Sequence, residues 1–333
     1  MKKILALLIA ISMCASFTAC TDKKENTQNT TAPETTVAET TVAETTVAEI
    51  ENKYSPLLYK VADEDSTVYM FGSIHVGTEN MYPLPQYVED AYTTSDTLAV
   101  ECDITAFESD AEKQIQVLSS LVYTDGTTIA DHIDAKVYED AKKILTEQNY
   151  YNAMLDYYIP SLWTNFIDGF LYQKLGYDPK LGIDVNFINR AKDSNKTIDE
   201  VESVEFQYDM MAGFSPELQE IMLADTVEAY NSDEAKAEID KLVNDWYTGN
   251  EDEIVEDNTE DLQELKDEEK KLYDEYYNEM ITKRNISMAD YAEQSLDGDK
   301  DVFICVGCAH IVGDGGMVDL LRERGYTVTK VGE

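Results

Sequence analysis

Positive charge and histidine are both scarce in this chain. Only 26 Lys and Arg stand against 67 Asp and Glu in 333 residues, a formal net charge of −41. So acidic a balance argues against nucleic-acid binding, because phosphates must be neutralised by Lys and Arg. It argues equally against electrostatic docking on anionic lipid, and leaves solubility outside the cell as the plain meaning of the charge. Cysteine is too sparse for a disulfide framework. Of the five, Cys14 falls in an apolar leader and Cys20 at its end, leaving Cys102, Cys305 and Cys308, an odd number. Only His75, His132 and His310 can supply imidazole chemistry.

What is present begins with the leader. Lys2 and Lys3 precede an apolar stretch from Ile4 to Met13, and 17-FTAC-20 closes it. The pattern reads as a secretory signal over residues 1–19, too short to span a bilayer as a stable helix. The closing cysteine resembles a bacterial lipobox, with Phe17 where Leu is usual; that resemblance implies cleavage before Cys20 and a lipid on it. Residues 20–50 hold almost no large apolar side chains and repeat TTVAE at 35–39, 40–44 and 45–49. Such a Thr/Glu tract cannot bury enough surface to offset the entropy of ordering, so a flexible, lipid-anchored tether is expected. The expected location is the cell membrane, facing away from the cytoplasm, with the lipid as the only membrane contact. A plain secreted protein is the alternative.

Residues 51–333 are expected to form one domain. The segment 57-LLYKVADEDSTVYMFGSIH-75 reads as a hairpin around an acidic turn. A helix near Gln86–Thr94 and a strand in 97-TLAVECD-103 follow. The middle is helical: apolar residues keep a helical period through 138–148 and 151–175, Ser215-Pro216 opens a helix, and Ile239, Leu242, Val243 and Trp246 form a core-facing stripe. A long acidic helix is expected from about Thr259 to Lys283. Ser287 with Asp290 three residues on resembles a capping box opening one more helix, which places Arg284 at the junction. The chain ends as strand 301–307, a glycine loop, helix 316–325 and strand 326–331. The expected fold is α/β (α+β): a central mixed sheet built from two β-α-β units, with a largely helical middle region as cover.

Each of those units carries the same short motif. In 72-GSIH-75 and 307-GCAH-310 a histidine follows an apolar strand, at the edge where open α/β sheets bind ligands. Glu101 ends the strand after the first unit. Two imidazoles and a carboxylate make a sensible divalent-metal site with open positions for water. His132, in 130-ADHID-134, has no such setting and reads as surface.

The paired GSIH and GCAH, with 98-LAVECD-103 between them, resemble the TraB/PrgY/GumN family, whose animal relatives are the Tiki proteases. Further likeness lies in 182-GIDVNFINRAKDSNKTIDEVES-203, in 284-RNISMA-289 and in the glycines after His310, so the resemblance runs from about Leu57 to Val331. It implies that His75 and His310 hold a divalent metal, with Glu101 as a further ligand or general base. It implies that Arg284 stabilises an oxyanion or holds a substrate carboxylate, and that Asp184 and Glu202 lie behind the site. The implied activity is metal-dependent hydrolysis of a peptide bond in a peptide or protein substrate. No HExxH is present, and manganese, cobalt, zinc and iron stay open.

Rival readings attach to the same residues. Cys305-x-x-Cys308 lacks the adjacent histidine of a haem-attachment motif and straddles a strand end, unlike a thioredoxin pair at a helix N-terminus. Cys308 and Cys102 beside the site leave pairing or soft-metal binding open. The loop 313-GDGG-316 opens a helix as phosphate loops do, but has no Lys or Arg near it and reads as the turn that faces His310 inward. Since related folds include haem-binding lipoproteins, a non-catalytic peptide- or haem-binding surface protein is the alternative function.

Overall fold

The computed structural model describes residues 54–257 and 265–332. The expected signal, Cys20 and the whole of the Thr/Glu tether lie outside them. The first described strands, β1 (Leu58–Ala62) and β2 (Thr67–Ser73), pair antiparallel as the expected hairpin. The Asp63 carboxylate closes its turn by accepting the backbone N–H groups of Asp65 and Ser66, at 3.1 and 2.8 Å.

The remaining strands are β3 (Thr97–Val100), β4 (Thr197–Glu200), β5 (Val302–Gly307) and β6 (Thr329–Lys330), in the sheet order β4-β3-β5-β2-β1-β6. β5 is parallel to both β2 and β3, β3 is parallel to β4, and β6 pairs antiparallel with β1. Every strand except β1 therefore runs the same way. The two crossover units interleave: β2, helix Gln86–Thr94 and β3 step over β5, while β5, helix Met317–Glu323 and β6 step over β2 and β1. β5 is buried along its whole length, as a central strand covered on both faces must be. β4, the short polar TIDE, is the exposed edge.

Helices cover the sheet and build a second core of their own. Helices Ala135–Glu147, Pro160–Leu175 and Pro216–Asn231 bury Ile144, Trp163, Ile167 and Leu223 together, apart from the sheet cluster. Helix Ala235–Thr248 joins the sheet instead. Its stripe buries Ile239, Leu242 and Trp246, and the Trp246 indole N–H donates to the Gly72 carbonyl at 2.8 Å. The cover is thus pinned to the strand that carries the first histidine motif.

One expected boundary is absent. Residues 259–264 of the acidic helix fall outside the described chain. Helix Asp267–Tyr277 then runs through a π turn, Asn278–Thr282, straight into helix Lys283–Leu296. Ser287 opens nothing: its hydroxyl donates back to the Lys283 carbonyl at 3.3 Å, and Asp290 pairs with Arg324 at 2.7 Å. Both side chains of the apparent capping box are therefore spent elsewhere. Arg284 sits just inside the second helix, where the π turn aims it inward.

The two histidine motifs touch through a glycine. A Cβ at Gly72 would lie 2.9 Å from the Cys308 Cβ and 3.0 Å from its Cα. Gly72→Ala should therefore cost about 1–3 kcal/mol by overpacking, read as a lower guanidinium chloride midpoint at unchanged slope. An unchanged midpoint would mean that the two strand ends are not rigidly apposed.

Candidate functional site

The parallel register brings four strand ends to one place. Ser73 lies beside Gly307, and Val100 beside Cys305, so the residues just beyond β2, β3 and β5 meet at the carboxyl edge. Glu101 is buried there. Its Oε1 accepts the Gly307 N–H at 2.7 Å; its Oε2 accepts from Arg284 Nη2 at 2.6 Å and from Gln207 Nε2 at 3.2 Å. Beyond β4, the Glu202 N–H donates to the Glu101 carbonyl at 2.8 Å, setting two carboxylates on adjacent strands.

Arg284 makes that pair tolerable. Nε donates to Glu202 Oε1 at 2.8 Å, Nη2 donates to both Glu202 Oε2 (2.9 Å) and Glu101, and Nη1 donates to the Met280 carbonyl at 3.2 Å. Four of its five N–H groups are used inside the protein. Burial alone would raise the Glu101 pKa. The guanidinium, the two histidines and the Gly307 N–H instead hold it well below the usual carboxylate range.

Both histidines approach the same oxygen of this carboxylate, each anchored through Nδ1. Asp184 Oδ2 accepts from His75 Nδ1 at 3.1 Å, and Asn285 Oδ1 accepts from His310 Nδ1 at 2.7 Å. Asn285 is oriented in turn by its Nδ2, which donates to the Gly315 carbonyl at 2.9 Å. Its oxygen must then face the ring, so neutral His310 carries its proton on Nδ1 and a bare lone pair on Nε2. That Nε2 is buried, has no hydrogen-bond partner, and stands 3.9 Å from Glu101 Oε1; His75 Nε2 stands 4.0 Å from the same oxygen. Carboxylate or amide anchoring of the far ring nitrogen is how metal-ligating histidines are usually oriented.

Two Gly-x-x-His motifs give their rings opposite electrostatics. Burial disfavours charge on His75, but Asp184 and Glu101 outweigh it and push the pKa up to about 9. Burial and Arg284 together drive His310 down to about 3. His310 is fully enclosed, whereas the side chains of His75 and Asp184 are 12% and 17% exposed, so solvent meets the centre from their side.

The local sequence explains the shape. Gly182 crosses the end of β2 so closely that a Cβ would lie 2.6 Å from the His75 carbonyl oxygen; Ile183 N–H then donates to the Ile74 carbonyl and Asp184 reaches the ring. His310 sits not in an open loop but in a single helical turn, Cys308–Ile311. The GDGG segment follows as the turn, with Gly313 and Gly315 at φ +88° and +71°. Its Gly315 N–H already donates to Asp319 at 2.9 Å, the place a phosphate would take. Cys305 and Cys308 are buried, and among the described residues Cys102, Cys305 and Cys308 form no disulfide. Burial and neighbouring carboxylates push the Cys102 and Cys305 thiols well up, which leaves them protonated. His132 is exposed and stacks on Tyr123 with centroids 4.1 Å apart.

Every candidate within the described chain except His132, Cys305 and Cys308 thus belongs to one connected network: His75, Glu101, Asp184, Glu202, Arg284 and His310, with the Cys102 thiol joined to it by donating to Gln207 Oε1 at 3.8 Å. Two members carried no sequence signal for their roles. Gln207 clips Glu101 to Glu202 (2.8 Å to the latter) from a helix without any motif, and Asn285 orients His310.

The donors are of the right chemistry for a divalent ion, but set wide. Tetrahedral coordination at about 2.0–2.2 Å would put imidazole nitrogen and carboxylate oxygen roughly 3.3–3.5 Å apart, against 3.9 and 4.0 Å here. Among the described residues no group of three or more His, Cys, Asp or Glu is spaced to hold an ion.

Fold and site together define an α/β protein with a histidine–carboxylate centre at the carboxyl edge of a mixed sheet. The chain belongs to the TraB/PrgY/gumN family, whose profile matches residues 57–330. It is similar to YbaP of Escherichia coli (strain K12), with 22% identity over 259 residues that cover 76% of this chain and 87% of that protein. YbaP of Shigella flexneri matches to the same extent. No solved structure matches.

Two outcomes follow for the protein handled in the presence of chelator. His75 has its folded pKa above the ordinary 6.5, so its contribution to stability is complete below pH 6.5 and is lost as pH rises through about 9. Urea midpoints of wild type should fall over that window, and those of His75→Gln should not; parallel curves would refute the pairing. Arg284→Met leaves two buried carboxylates together and should cost about 3–5 kcal/mol near pH 8. The loss should shrink towards pH 5 as they protonate, and Glu202→Gln added to Arg284→Met should recover part of it. Equal losses at both pH values would mean that charge is not the cause.

Proposed function

We propose that the protein is a metal-dependent hydrolase, acting on peptide bonds, held at the cell surface by a lipid on Cys20. The observation that carries the catalytic reading is the convergence of two anchored imidazoles, through Nε2, on the single oxygen Oε1 of Glu101, with the His310 nitrogen buried and unpartnered. A lone pair facing a carboxylate oxygen calls for a cation between them. The membrane reading rests on the leader and the Cys20 context alone; among the described residues no helix is long and apolar enough to cross a membrane.

In this reading His75, His310 and Glu101 hold the ion. The ion would act as a Lewis acid on the scissile carbonyl and make water a stronger acid. His310 supplies a neutral nitrogen, because burial and Arg284 keep the ring uncharged, and Asn285 fixes its tautomer so that Nε2 is the bare one. Glu101 serves as ligand rather than base: an acid held so far below its usual range accepts a proton poorly near neutrality. Arg284 acts through Glu101 and Glu202, since its donors are engaged by the protein; it is a positioning residue. Substrate enters from the side of His75 and Asp184, where the centre meets solvent.

Elemental analysis of the purified protein, prepared without chelator and without an affinity histidine tag and reloaded with manganese, cobalt, zinc or iron(II), decides the matter. About one equivalent of metal should bind wild type and be lost in both His75→Ala and His310→Ala. A mixed-peptide digest read by mass spectrometry should then show cleavage that Glu101→Gln abolishes. If no metal binds, or the histidine variants bind it equally, the hydrolase reading fails and a non-catalytic peptide- or haem-binding role takes its place.

A further inference from the structure

One pocket is built on the turn that carries His310. Ala309 and Val312 flank that histidine and form part of its wall, with Ile281 from the π turn and Ile254 and Val255 from helix Glu251–Asp257. The open cavity has a volume of about 520 Å³, room for one or two side chains of a peptide. Gly313 lets the turn close on the floor: a Cβ there would lie 3.2 Å from Val255 Cγ2.

The rim has one sign of charge. Glu251, Asp252 and Asp314 stand at the mouth, and among the described residues no Lys, Arg or His lines it. Lys330 takes up Glu251 at 2.9 Å. Asp252 and Asp314 are exposed and make no ion pair among the described residues. An apolar floor under an unneutralised acidic rim suits a chain segment that pairs a large aliphatic side chain with an adjacent cation. An acidic or purely polar segment would meet repulsion at the mouth or gain nothing on the floor.

We infer that this pocket is a subsite for a basic, amphipathic peptide, seating a Leu-, Ile- or Val-like side chain on Ile254, Val255, Ile281 and Val312 and a neighbouring Lys or Arg on Asp252 and Asp314. The inference rests on the hydrolase reading only in calling that peptide a substrate. Placement fits such a role, because the wall residue Ala309 is covalently next to His310. The π turn that leads into the helix carrying Arg284 contributes Ile281 to the lining.

The test is binding, not turnover. Fluorescence anisotropy would follow the whole protein titrated into a labelled peptide of alternating Leu and Lys and into its Leu and Glu counterpart. The Lys peptide should bind and the Glu peptide should not. Val255→Trp, which fills the floor without changing charge, and the double variant Asp252→Asn/Asp314→Asn should each weaken binding by about tenfold or more. The surface double variant keeps the test valid should Val255→Trp destabilise the fold, which thermal melting would reveal. Undiminished binding to the variants, or equal binding of the Glu peptide, overturns the proposal. His75→Ala should bind the Lys peptide as wild type does, so a failure of catalysis and a failure of this subsite give different results.

Discussion

The centre of this protein depends on one guanidinium between two carboxylates. Removing an ion from water costs several kcal/mol even after relaxation, and an ion pair recovers that only with near-ideal geometry. Arg284 meets the condition with a forked contact on Glu202 and a 2.6 Å contact on Glu101. Two carboxylates against one cation still leave a negative charge unbalanced, and it lies on the side of Glu101 that faces the histidines. That imbalance accounts for the neighbours. It draws a proton onto His75, which has Asp184 behind it, whereas His310, nearer in effect to the guanidinium, stays neutral. Gln207 then joins the carboxylates with a neutral donor, fixing them without altering the charge.

What could be read from the residues alone follows from how local each cause is. The hairpin, the β5 strand and the Trp246 stripe were legible because period and turn chemistry act within a few residues. The histidine motifs were legible as a site because an apolar strand followed by Gly-x-x-His has few structural reasons to occur twice. Gly72 and Gly182 turn out to be close-approach glycines, pressed on Cys308 and on the His75 carbonyl. The Gly-Ile-Asp order therefore has a physical reason: no side chain, then a backbone donor, then the anchor for the ring.

The misread boundary has an equally specific cause. A π turn widens the helix by one residue without any composition of its own, and such turns recur at functional sites. Here Ser287 and Asp290 happen to carry the spacing of a capping box, so the sequence offers a false start just after Arg284. The widened turn brings Arg284, Asn285 and the Met280 carbonyl to bear on the same interior. Gln207 was invisible for a different reason: its role exists only once two strand ends, distant in sequence, lie side by side.

The two histidines are duplicates in sequence and opposites in chemistry, which constrains any mechanism for this centre. His310 has its tautomer locked by an amide that is itself locked to Gly315, and it is fully buried. It can donate a lone pair but cannot shuttle a proton. His75 has a carboxylate behind it and solvent beside it, so its proton can leave when a cation competes for Nε2. On the hydrolase reading, a cation held by these residues would displace a proton from His75, whereas His310 already offers a bare nitrogen. Its affinity would then rise with pH until the His75 proton is gone near pH 9.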